Sequence, residues 1–131
     1  MDLSIAIIND LGSVFKHWAL VIPSPDNPGY VFLQAKGSDR HFRYEPETAR
    51  DLEYIGLVEL VKLCRVDAGK TSEIKNVASR VTIRNGISGW NCQDYVLDLL
   101  DALEGQGLVD GKDERYKERR AYVRGKVEGL E

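Results

Sequence analysis

The stretch His17-Trp18-Ala19-Leu20-Val21-Ile22-Pro23-Ser24-Pro25-Asp26-Asn27-Pro28-Gly29-Tyr30-Val31-Phe32-Leu33-Gln34-Ala35-Lys36 is two apolar runs separated by turn formers. Proline lacks the N–H that a ladder needs and fixes φ, so Pro23, Pro25 and Pro28 with Gly29 read as the loop of a hairpin. The strand before the loop is expected from about Phe15 to Ile22 and the return strand from Tyr30 to Lys36. An antiparallel sheet is the consequence.

Working outward, Leu3 to Ile8 is rich in isoleucine and ends at Asn9-Asp10-Leu11-Gly12, a strand followed by turn chemistry. On the other side Gly37-Ser38-Asp39 makes a turn. Arg40 to Tyr44 then alternates polar and aromatic residues, which predicts a third strand of a meander. Pro46 opens a segment, Glu47 to Tyr54, with the look of a short helix. Leu57 to Val66, with Glu59 and Lys62 between Val and Leu, reads as a strand.

Helical spacing takes over after Asp67-Ala68-Gly69. Ile74, Val77, Ala78 and Val81 form one stripe behind Thr71 and Ser72, which can cap a first turn. The breakers Asn85-Gly86-Ile87-Ser88-Gly89 end that helix, and a second begins near Asn91 with Val96, Leu99, Leu100 and Leu103 as its stripe, closed by Gly105 and Gly107. Lys112 to Glu128 keeps Tyr116, Val123 and Val127 near helical spacing, so a peripheral charged helix is expected there, with a fraying outer end. Nothing divides the chain. It reads as one α+β domain over 1–131, with a core at about 3–104, in which a small antiparallel sheet packs against helices.

At 131 residues, 43% hydrophobic and 30% charged, the chain can bury a core without metal or disulfide staples. A net charge of -3 gives no overall attraction to nucleic acid. Arg115, Lys117, Arg119, Arg120, Arg124 and Lys126 are interleaved with Asp113, Glu114 and Glu118, the pattern of a solvated helix face. No segment approaches the roughly 20 apolar residues of a membrane span, and Met1-Asp2-Leu3-Ser4-Ile5 has no basic leader. Two cysteines without Cys-x-x-Cys spacing point to a cytoplasmic protein with reduced thiols. Gly69-Lys70-Thr71 imitates the end of a phosphate-binding loop, but Cys64 stands where the first glycine is required.

The chemistry concentrates at Trp90-Asn91-Cys92-Gln93-Asp94-Tyr95-Val96. A cysteine in the first turn of a helix meets free backbone amides and the positive end of the dipole, which favour the thiolate, the nucleophilic form. The same amides can stabilise an oxyanion. Cys64 lies in a strand and reads as a packing residue. A thiol nucleophile needs a base, and His17 and His41 are the only histidines. If Ile22 faces Tyr30 across the proline loop, His17 falls opposite about Ala35, and the turn at Gly37 to Asp39 brings His41 beside Ala35. The candidate constellation is therefore Cys92 as nucleophile, His17 as base and His41 as the residue that orients the base, with Gln34 and Gln93 as alternatives for the last role. Trp18, Trp90, Asn91 and Gln93 flank these positions and are the expected substrate-binding residues. No paired metal-ligand spacing is present.

In order and local context these residues resemble the circularly permuted NlpC-like and papain-like proteins, which include lecithin retinol acyltransferase, its phospholipase/acyltransferase relatives and the PPPDE isopeptidases. In those families a strand carries the base histidine, following strands supply a polar third member, and Asn-Cys-x-x-aromatic opens the late helix. Here His17 matches the strand histidine, His41 is the best match to the orienting residue, and Asn91-Cys92-Gln93-Asp94-Tyr95 matches the helix motif, over roughly residues 3 to 104. Asp94 departs from the pattern, since the acyltransferases carry histidine at that place. The resemblance implies cysteine-dependent acyl transfer to or from a small-molecule, peptide or acyl-carrier substrate, without a cofactor. The alternative is a catalytically silent module that binds a peptide or protein on the same fold.

Overall fold

Leu20 pairs with Leu33 and Ile22 with Val31 in the antiparallel ladder between β2 (His17–Pro23) and β3 (Tyr30–Leu33), the hairpin that the proline loop demands. A computed structural model describes residues 1–9, 15–25, 28–52 and 56–128. Two further strands line up on the other side of β2. β1 (Asp2–Ile8) pairs with it, placing Ile5 opposite Leu20 and Ile8 opposite His17. The far side of β1 takes the strand Leu57–Arg65, with Ile5 opposite Val61.

The stretch after Leu33 departs from the expected meander. Ala35–Lys36 (β4) pairs with Arg43–Tyr44 (β5) in a separate two-stranded ribbon, with Ala35 opposite Tyr44. The polar and aromatic alternation of Arg40 to Tyr44 thus marks a hairpin return of two residues and not a third strand of the main sheet. Gly37 makes the turn possible at φ 145°, where any Cβ would collide with the carbonyl oxygen of His41. Glu47–Ala49 is a strand, β6, and not the start of a helix: it adds to the edge of β3, with Val31 opposite Thr48. The β-branched Thr48 beside an unpaired edge outweighs the weak helical signal. The far end of that expected helix, residues 53 and 54, and most of the turn expected at Asn9 to Gly12 lie outside the described residues. With Leu57–Arg65 as β7, the five-stranded order is β6-β3-β2-β1-β7, antiparallel throughout.

Both faces of this sheet are buried, which is why β1 and β2 read as continuous apolar runs. Leu3, Ile5, Ile7, Trp18, Leu20, Ile22, Val31 and Leu33 face the helices. Ala6, Ile8, Ala19, Val21 and Phe32 form a second cluster on the opposite face, packed by Tyr30, Ala49, Leu52, Leu57 and Leu60. Alternation along β2 assigns His17 to this second face, with Ala19 and Val21.

Three helices cover the first face. α1 (Thr71–Arg80) buries Ile74 and Ala78. Thr71 is not its cap: Asp67 caps the short 3₁₀ turn before the helix, and the Thr71 hydroxyl donates to Ala68 O at 3.1 Å. α2 (Cys92–Gly105) buries Val96, Leu99, Leu100 and Leu103. α3 (Glu114–Arg124), capped by Asp113, packs on β7 through buried Tyr116 and Val123. Its basic face is not simply solvated, since Arg120 pairs with Asp101 and Glu104.

Candidate active site

Asn91 decides where α2 begins. Its backbone is extended, its Oδ1 accepts from the amide of Gln93 at 2.8 Å, and Asp94 Oδ2 accepts from the Asn91 amide at 2.9 Å, a reciprocal capping box. Cys92 therefore occupies the first helical position, at the positive end of the dipole. Burial holds the Asp94 carboxyl above its ordinary range in spite of that amide bond. The loop before the cap is itself clamped. Asn85 exchanges two hydrogen bonds with the backbone of Phe42, at 2.8 and 2.9 Å. Asp39 accepts from the Gly89 amide at 2.8 Å and from Ser88 Oγ at 3.3 Å. Trp90 meets the ring of Phe42 edge to face and donates through Nε1 to Asp98 at 3.2 Å.

His17 opens β2 with its ring 2.7 Å from a partner: Nε2 faces Oε1 of Gln34, and both residues are buried. With a carbonyl oxygen as acceptor, Nε2 is the donor of this bond. Gln34 follows Phe32 on the second face of the sheet, so one residue beyond β3 is positioned to hold the first residue of β2.

Cys92 is tied to the same place. Its sulfur lies 3.8 Å from the carbonyl oxygen of Lys16, the residue before His17, and Gln93 Nε2 donates to that oxygen at 3.0 Å. His17, Gln34, Trp90, Asn91 and Cys92 all border one cavity of about 1390 Å³. Ile8, Phe15, Phe32, Phe42 and Ala49 give it apolar walls, and the Lys36–Glu47 ion pair stands at its edge.

The remaining expected site residues fall elsewhere. His41 is exposed in the β4–β5 turn, bonded through its amide to Ser38 O, and does not border the cavity. The reason is register: Tyr44 and not His41 stands opposite Ala35, so Gln34 takes the position beside His17. Trp18 is fully buried among the helix-facing core residues, away from the cavity. Gln93 is fully buried too, with both ends of its amide bonded within the protein, so it supports the site from behind and offers nothing to a substrate. Cys64 sits on β7, its thiol pushed up to about 11 by burial and secondarily by the charge of Asp113. Such a thiol stays protonated and unreactive near neutrality.

The helix-start cysteine and the glutamine-anchored histidine thus border one cavity of an α+β fold. The chain belongs to a family of unknown function, DUF6540, whose profile matches residues 5–110. That match runs from β1 through α2, including His17, Gln34 and Cys92, and ends before α3. No curated protein and no solved structure matches the chain.

Proposed function

We propose that the protein is a cysteine-dependent acyl-transfer enzyme in which Cys92 is the nucleophile, His17 the base and Gln34 the residue that orients the base. The observation that carries this reading is the common cavity of Cys92 and His17, with the imidazole anchored to Gln34 through Nε2. The resemblance in residue order to the permuted papain-like enzymes supports the same roles, with Gln34 in place of His41.

In the first half-reaction Nδ1 of His17 takes the Cys92 proton and the thiolate sulfur bonds to the carbonyl carbon of an ester, thioester or amide. The oxyanion forms at the start of α2, where the positive end of the helix dipole favours it. Collapse expels the leaving group, which receives the proton from His17, and leaves a thioester on Cys92. An acceptor then loses its proton to His17, attacks the thioester and frees the thiol. Water as acceptor gives hydrolysis; an amine or alcohol gives transfer.

Intact-mass measurement after incubation with activated esters, thioesters and peptides tests the reading. An acyl adduct that maps to Cys92 and is lost with time in buffer, or on adding an amine, is the expected result. Folded protein that gains no adduct from any of these, with Cys92 alkylated no faster than a free thiol, would overturn it and favour a silent peptide-binding module.

A further inference from the structure

The charged tail is expected from its composition to fray, yet the half-buried Glu128 is tied to the buried Gln93. Its backbone amide donates to Gln93 Oε1 at 2.7 Å. Its carboxylate oxygen Oε1 accepts from the Lys16 amide at 3.2 Å and from Gln93 Nε2 at 3.4 Å, and its carbonyl oxygen accepts from Asn91 Nδ2 at 3.4 Å. Gln93 Nε2 closes the circuit onto the Lys16 carbonyl oxygen at 3.0 Å.

Lys16, Gln93 and Glu128 thus form a closed ring of hydrogen bonds among three segments distant in sequence. Two of its members are chain neighbours of the proposed base and nucleophile: Lys16 precedes His17 and Gln93 follows Cys92. The Lys16 carbonyl oxygen is also the group 3.8 Å from the Cys92 sulfur. We infer that Glu128 is a positioning residue, which sets the Cys92 thiol against His17 by locking Lys16 to Gln93. This rests on the cysteine-enzyme reading above.

The ring acts through hydrogen bonds and not through charge. The Glu128–Lys16 side-chain ion pair spans 4.0 Å between partly exposed groups, a geometry that contributes little. The amide variant Glu128→Gln keeps an acceptor oxygen of the same reach and retains the ring. Glu128→Ala removes it.

The experiment measures the iodoacetamide alkylation rate of Cys92 against pH in a Cys64→Ala background, for wild-type Glu128, Glu128→Ala and Glu128→Gln. Tyr122→Phe is the control, because it removes the Tyr122 bond to Glu59 and loosens α3 on β7 without touching the ring. Glu128→Ala is expected to lower the rate at pH 7 about tenfold and to move the midpoint of its pH profile upward, toward an ordinary thiol. Glu128→Gln and Tyr122→Phe are expected to stay within about twofold of the parent. A Glu128→Ala profile unchanged from the parent would overturn the proposal, as would an equal loss in Tyr122→Phe or in Glu128→Gln. A parent protein whose Cys92 already reacts like a free thiol would refute the thiol site itself, and this role of Glu128 with it.

Discussion

His17 Nε2 and Gln34 Oε1 lie 2.7 Å apart inside the protein, and this contact fixes the ring of the proposed base. Gln34→Ala leaves a buried N–H without its acceptor, a loss of about 1–3 kcal/mol in stability. Because the ring is then free to turn, acyl-enzyme formation should fall about 10²-fold or more while the protein remains folded. His41→Ala should leave the rate at the parental value. Parallel single-turnover and melting measurements on the two variants check both; a rate lost with His41 and kept without Gln34 would reverse the assignment.

The two thiols should separate cleanly. Cys92→Ala should abolish adduct formation with activated esters while the circular dichroism spectrum is retained, since the side chain removed is small and the Asn91 cap stays in place. Cys64→Ala should keep activity, because burial holds that thiol protonated up to about 11. Peptide mapping of the adduct decides between them.

The hairpin around the proline loop, the strands flanking it and the apolar stripes of α1 and α2 were legible because turn chemistry and periodicity are local. The helix-start cysteine was legible for the same reason: Asn91 and Asp94 both lie within one turn of it. The choice among His41, Gln34 and Gln93 for the place beside His17 was not. It depends on where β3 ends, and the chain leaves the main sheet at Gln34 to form a ribbon whose register puts Tyr44 opposite Ala35. Alternation within Arg40 to Tyr44 carries no sign of which strand it will pair with. Trp18 and Gln93 stand next to the proposed catalytic residues in sequence but are buried away from the cavity, Trp18 in the helix-facing core and Gln93 against Lys16 and Glu128. Glu128 was invisible because its partners are a backbone amide and a buried glutamine in remote segments.

The cap of α2 connects stability to the site. Asn91→Ala removes the acceptor of the Gln93 amide and should cost about 1 kcal/mol, a fall in Tm of roughly 4 °C for a domain of this size. Cys92 stands immediately after the cap, so alkylation of its thiol should slow in the same variant. Differential scanning calorimetry and alkylation kinetics read the two effects. An unchanged Tm would show that the capping box contributes nothing.

Alkaline conditions should unfold the protein through its buried acids. The folded Cys64 thiol holds its proton up to about 11 against an ordinary value of 9.0, and burial also raises Tyr95, whose hydroxyl donates to Ala78 O at 2.7 Å, and Tyr116, bonded to Glu104 at 2.6 Å. Raised folded values mean that the folded state binds more protons than the unfolded chain over this range. Their contribution is therefore complete below the unfolded values and is lost as pH climbs through the interval toward the folded ones. For Cys64 the interval runs from 9.0 to about 11; the tyrosines act from their ordinary value of 10.0 upward. Urea unfolding midpoints at successive pH values should accordingly be level near neutrality and decline from about pH 9. Cys64→Ala lacks the first contribution, so its midpoint should begin to fall only when the tyrosines titrate. If wild type and Cys64→Ala lost stability in parallel from the same pH, the thiol would not be the group responsible.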